Sequence, residues 1–224
     1  MAEPRVADGD DRTGDRLLDV ALALARTQGV SKTTMAGLAK AAGCSRATLY
    51  RTFGCKRDLF EAVAHRELAR FSTDLESELA GANTLEDALT IAVVEAHNAL
   101  SGHAALQFVL ANEPGVVLPF LGFGRVDQLY AAVRTLGKPH FTRFVGSERA
   151  GWVAEWLSRL VLSHLFLPRP DLNLADPRDA RALVGLFVVP ALVPPASPPS
   201  APAAARPPAF ALAGASPSIA TQGS

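Results

Sequence analysis

The stretch from Thr33 to Phe60, TTMAGLAKAAGCSRATLYRTFGCKRDLF, decides the architecture of this chain. Its first half carries Met35, Leu38, Ala39 and Ala42 at helical spacing, with Thr33 or Thr34 as the capping residue. Gly43 ends that helix, because glycine enters the positive-φ region without steric cost. Ser45 is a preferred N-cap and opens a second helix, which runs to about Phe53 and is broken by Gly54. Apolar residues alone would suit a core helix, and polar residues alone would suit solvent. This helix mixes Leu49 and Phe53 with Ser45, Arg46, Thr48, Tyr50, Arg51 and Thr52. It is built to pack on one side and to touch something negatively charged on the other.

Two short helices about a glycine turn, the second polar and basic, form a helix-turn-helix. In such a unit the first helix crosses the DNA backbone and the second enters the major groove. Ser45, Arg46 and Thr48 stand at the end of the second helix that points to base edges, and Arg46 can make two hydrogen bonds to a guanine. Tyr50, Thr52 and the start of the next helix at Lys56 are placed for phosphates. Ala39, Ala42 and Ala47 allow a close crossing. Charge agrees with this reading. The whole chain balances 22 Lys and Arg against 22 Asp and Glu, yet Val20–Arg57 holds seven basic residues and no acidic one. Such a segment is a footprint for a polyanion, although a basic face can also serve only to face solvent.

Working outward, DRLLDVALALARTQGV places Leu17, Leu18, Ala21, Leu24 and Ala25 on one helical stripe that stops at Gly29. From Cys55 to about Ala80 a long helix carries Leu59, Phe60, Val63, Leu68, Phe71, Leu75 and Leu79. No stretch alternates as a strand does, and the chain reads as all-α. Residues 1–12 form an acidic leader expected to lack fixed structure. Cys44 and Cys55 flank one helix and cannot bridge. No secretory leader and no uncharged run of membrane length is present, so the expected location is cytoplasmic, without a membrane partner.

The run Ala42-Gly43, Ser45, Leu49-Tyr50, Phe53, Lys56 and Leu59-Phe60 resembles the DNA-binding head of TetR/AcrR-type bacterial transcriptional regulators. The likeness extends over Leu17 to Phe60. It implies a three-helix head with a helix-turn-helix, at 13–60, fused to a larger helical ligand-binding and dimerisation domain, at 61–192. Position by position, it makes Thr34 a cap and backbone contact. Ser45, Arg46, Ala47 and Thr48 become the groove-facing set, and Tyr50, Thr52 and Lys56 the phosphate clamp. Cys44 stands where the family usually has Val, and Thr52 where His or Tyr is common, so the latter's phosphate contact is shorter or lost.

Beyond the head, Thr84 and Asp87 form an approximate capping box ahead of Leu85, Leu89, Val93 and Ala96. A short helix is expected in GRVDQLYAAVRTL. The segment Ser147–Leu167 has Trp152, Trp156, Leu160 and Leu167 on one side, with Val153, Leu157, Val161 and His164 round from it. A helix apolar over so much of its circumference is buried on more than one face. A last helix, Asp176 to Leu192, is expected to end at Pro190. The family resemblance gives Ser147–Leu167 and Pro177–Val189 the role of the dimer's four-helix interface. An apolar chamber is the default ligand site. Its candidates are Phe108, Asn112, Phe120, Phe123, Tyr130, Phe141, Phe144, Trp152 and Trp156, with His97, Asn98, His103 and Glu113 as polar groups, and each can equally be plain core. The final residues, 193–224, are rich in Pro and Ala, carry one charge, Arg206, and are expected to be disordered.

The expected function is therefore DNA-binding transcription regulation: a dimeric repressor on a palindromic operator, released by a small apolar ligand. The Cys55–Ala80 helix would couple the two domains, since it starts against DNA and ends in the ligand domain. The rival reading is an architectural or cell-cycle DNA binder with the same head and no small-molecule inducer. An enzyme is disfavoured, because no nucleophile elbow, phosphate loop, metal-ligand spacing or convincing pair of acids is present, and no cofactor is implied.

Overall fold

The computed structural model describes residues 7–116 and 126–192 of the chain, and these are helical with no strand among them. Three helices make the head: α1 (Ala7–Lys32), α2 (Met35–Ala41) and α3 (Arg46–Phe53). The long α4 (Lys56–Leu79) leaves it. The body holds α5 (Leu85–Gly102), α6 (Ala104–Asn112), α7 (Val126–Val145), α8 (Ser147–Phe166) and α9 (Pro177–Leu183), the last continuing through a π-helical turn (Val184–Val188) into α10 (Val189–Leu192).

Two apolar cores follow from the stripes read above. The head core joins Leu17, Leu18 and Ala21 of α1 to Leu38 of α2, Leu49 of α3, and Leu59 and Val63 of α4. The body core joins Leu75 and Leu79 of α4 to Leu89 and Val93 of α5, Phe141 of α7, Val153, Leu157 and Val161 of α8, and Val184 and Val188. Helix α4 belongs to both cores. Polar contacts fasten its far half: Arg143 donates to the carbonyls of Leu79 and Ala82 at 2.7 and 3.0 Å, capping its C-terminal end, and Ser72 bonds His140 at 2.8 Å.

Several boundaries differ from expectation. Residues 7–12, part of the leader expected to lack fixed structure, lie within α1. Arg66 explains why the helix persists: it donates to the Asp15 carbonyl at 3.1 Å and pairs with Asp19 at 2.9 Å, anchoring α1 from which turns propagate cheaply. Gly29 interrupts α1 as anticipated, with φ of 84°. The short helix expected over 124–136 instead continues through Pro139 to Val145. Its packing on α8 outweighs the backbone bond that proline forfeits. The last helix likewise passes Pro190 and reaches Leu192. In the π turn Val189 bonds the carbonyl of Val184, a wider ring just ahead of the proline that relieves its clash with the preceding turn. Residues 1–6 and the Pro/Ala-rich tail, 193–224, lie outside the described residues.

Helices α7 and α8 cross closely at Gly137 and Ala154. A Cβ on Gly137 would collide with the Cβ of Ala154. Gly137→Val should therefore destabilise the body by about 1–3 kcal/mol, read as a lowered urea midpoint with unchanged slope. Beside that crossing Glu155 is buried, hydrogen-bonded by Arg134 and, at 2.6 Å, by Arg159. Burial alone would raise its pKa, but the hydrogen bonds from Arg159 and Arg134 win and hold it below the ordinary Glu range. A depressed folded pKa contributes stability above the unfolded value and loses it as pH falls through the folded one. Thermal melts of Glu155→Gln and wild type should thus differ at pH 7 and converge as pH drops below about 4.

Candidate nucleic-acid interface

The head's caps are formed by the residues the sequence singles out. Thr34, not Thr33, caps α2, its Oγ1 accepting from the Gly37 N–H at 3.1 Å. Thr33 is fully buried and donates to the Gly29 carbonyl at 2.6 Å. At the other end of α2 the Cys44 N–H bonds the Ala39 carbonyl and the Gly43 N–H bonds that of Lys40, with Gly43 at φ 63°. That is a Schellman turn, and it swings the chain directly into the Ser45 cap of α3. Ser45 Oγ accepts from the Thr48 N–H at 3.0 Å and meets Thr48 Oγ1 at 2.9 Å.

Helix α3 is held by one face only. Leu49 is completely buried and Phe53 partly so, both in the head core. Ser45, Arg46, Ala47, Tyr50 and Arg51 are exposed, and Thr48 is half-buried. The N-terminal turn of α3 therefore offers a cation, a small apolar side chain and hydroxyls together, while Tyr50, half exposed, presents its phenol from the next turn. A helix presented in this way can lie in a major groove, with Arg46 supplying bidentate donors and Tyr50 a phosphate donor.

Two members of the expected phosphate clamp are occupied elsewhere. The Thr52 hydroxyl donates to the Thr48 carbonyl of its own helix at 3.0 Å, which consumes its only proton. Lys56 turns its ammonium onto the carbonyls of Val30 and Ser31, at 3.1 and 3.3 Å, capping the end of α1. Its backbone N–H lies in the first turn of α4, which no side chain caps, and helix N-termini of this kind attract anions.

The match to known proteins runs along these same elements. The model of the family described as "Bacterial regulatory proteins, tetR family" matches residues 17–63, from the α1 stripe through the start of α4. An uncharacterised HTH-type transcriptional regulator of Mycobacterium tuberculosis is 31% identical over 183 residues, covering 80% of this chain and 85% of that protein. This chain belongs to the TetR family of bacterial transcriptional regulators. The AcrR regulator of Shigella flexneri is 47% identical over 51 residues, covering 23% of this chain and 24% of its own. Two solved TetR-family structures share the fold. The repressor AlkX of Dietzia superposes with a TM-score of 0.60 at 22% identity over 76% of this chain and 90% of its own. The repressor QsdR of R. erythropolis does so with 0.56 at 19% identity over 79% and 94%. The protein is thus a transcriptional regulator with a regulatory and not an enzymatic role, built on a helix-turn-helix head and a helical C-terminal domain. No helix among the described residues is long and apolar enough to cross a membrane.

The ligand candidates fare unevenly. Tyr130 and Phe141 are buried, Phe108 and Phe144 partly so. Trp152 and Trp156 are not chamber residues of this protomer: they are 65% and 48% exposed on the outward face of α8, because Val153, Leu157 and Val161 take the inward one. Asn112 is exposed and bonds back to the Phe108 carbonyl at 2.8 Å. Phe120 and Phe123 lie outside the described residues. Of the polar candidates, Asn98 is exposed, His103 caps α6 and approaches Glu67 at 3.6 Å, and His97 faces the ring of His164, 5.8 Å between centroids. Burial, and then the neighbouring His164, lower the His97 pKa, which favours the neutral ring. Glu113 leaves the body altogether and reaches the head.

Proposed function

We propose that this TetR-family regulator acts as a homodimeric repressor on a palindromic operator and is released by a small apolar ligand. The observation that carries the DNA-reading half is the one-sided burial of α3, with Leu49 sunk in the core and Arg46, Ala47 and Tyr50 exposed. Ser45, Arg46, Ala47 and Thr48 would face bases. Thr34, Tyr50 and the N–H groups opening α4 at Lys56 would hold phosphates. The dimer is supported by apolar side chains that a monomer leaves in water: Trp152 and Trp156 on α8, Phe166 and Leu167 at its end, and Leu186 and Phe187 in the π turn. Two heads on a two-fold axis would enter major grooves about 34 Å apart, which calls for a palindrome. For the ligand, Phe108, Tyr130, Phe141 and Phe144, buried or half-buried in the body, would line an apolar chamber. A ligand acts by preferring the state with the wrong head spacing, and a shift from 1:99 to 99:1 needs about 5.5 kcal/mol of preference.

The test is a salt titration of binding to the DNA flanking the protein's own coding region, for wild type and Arg46→Ala. Wild type should show a steep negative slope, each phosphate neutralised contributing about −0.9. Arg46→Ala should lose about 1–3 kcal/mol and relax preference at one base position per half-site. Equal binding of wild type to that DNA and to random duplex would remove regulation at this locus, and a random-pool selection would then decide whether the head reads sequence at all.

A further inference from the structure

Glu113 ends α6, far from the head in sequence, and its carboxylate accepts from the Val30 N–H at 2.8 Å and the Ser31 N–H at 3.0 Å. Its own backbone is held in turn, the Glu113 N–H bonding the Val109 carbonyl at 2.7 Å, and α6 packs along α1. Gly29 makes room for it. A Cβ there would run into the carboxylate, and the φ of 84° would strain any other residue besides. On the opposite edge of the same backbone, Lys56 Nζ donates to the Val30 carbonyl at 3.1 Å.

The Val30 carbonyl and the Ser31 N–H are two ends of one peptide group. A carboxylate from the body holds one end, and an ammonium from the first residue of α4 holds the other. Each polarises the peptide in the sense that strengthens the other's hydrogen bond. Through that single plane the end of α6 is tied to the residue that follows α3 by two positions beyond Gly54. The same Val30 carbonyl accepts from the Thr33 N–H at 3.2 Å, one residue before the Thr34 cap of α2, which links the plane to the entry of the helix-turn-helix.

We infer that Glu113 is a positioning residue for DNA binding, fixing the head on the body through the Val30–Ser31 peptide and Lys56. The inference rests on the DNA-reading role proposed above. It also gives Lys56 a second duty: its side chain holds the head in place instead of neutralising a phosphate.

The experiment compares full-length wild type, Glu113→Gln and Lys56→Met. Hydrogen exchange is followed at Val30 and Ser31. Binding is measured as a salt titration on the duplex that wild type enriches from a random pool. Glu113→Gln removes the charge and turns an amide donor toward a backbone donor. Exchange at both amides should quicken, and affinity should fall about tenfold, 1.4 kcal/mol, the scale of one charge-assisted hydrogen bond. The salt slope and the oligomeric state should stay as in wild type, since no phosphate contact is lost. Lys56→Met should behave alike. Unchanged exchange in Glu113→Gln would overturn the peptide bridge. Faster exchange with unchanged affinity would overturn the positioning role. A slope shallower by about 0.9 in Lys56→Met would return that ammonium to a phosphate. Should wild type enrich no duplex, the DNA reading fails instead, and the exchange data alone still decide whether the bridge exists.

Discussion

Leu186→Glu/Phe187→Glu should convert the protein to a monomer in sedimentation experiments and weaken binding to a palindromic duplex by about 10²–10⁴-fold. The two side chains are 70% and 64% exposed in one protomer, so charges there cost little within the chain. Their effect would fall on whatever covers them. Dimeric binding gains because the second head engages at an effective concentration set by the first, and uncoupling the protomers forfeits that gain without touching a DNA contact. The double variant should therefore keep its helix content and its affinity for a single half-site. Retention of a dimer would move the interface away from the π turn, toward the Trp152–Trp156 face of α8. Loss of half-site affinity as well would mean that the substitutions had damaged the fold.

Leu49→Ala should unfold the head while the body survives. Leu49 is the one fully buried side chain that α3 contributes, and Leu→Ala in a core costs about 2–5 kcal/mol. The head core is small, with few other residues to share that loss. The body core is separate and shares only α4 with it. Thermal unfolding followed by circular dichroism should then become biphasic, with an early loss of α2 and α3 signal and a later transition near that of wild type. DNA binding should vanish with the first phase. A single transition shifted down as a whole would show instead that α4 and the α1–α6 contact make head and body one cooperative unit.

These two cases show how unevenly the sequence speaks. In the head, structure follows from residues within a few positions of one another. Thr34 and Ser45 cap because a β-region hydroxyl can reach the N–H three residues on, and Gly43 and Gly54 turn because only glycine takes those φ values cheaply. Leu49 and Phe53 face the core because the helical repeat leaves no other option. Such effects are local, so the helix-turn-helix and the family could be read from Leu17–Phe60 alone.

Contacts made across long stretches of chain carry no such trace. Nothing in the spacing of Glu113 distinguishes a pocket carboxylate from one that reaches Val30, 83 residues away. Lys56 reads as a phosphate ligand because its neighbours suit that role, and only the fold brings its ammonium within reach of two backbone carbonyls. Trp152 and Trp156 satisfied every rule for a buried stripe, yet α8 has two apolar faces, and helical period alone cannot say which one meets the protomer's own core. Local propensity, capping and periodicity thus determined the elements, the head and its chemistry. Tertiary structure decided which charged groups are engaged and which apolar face is left outward, because those depend on distances between residues that no short-range pattern constrains.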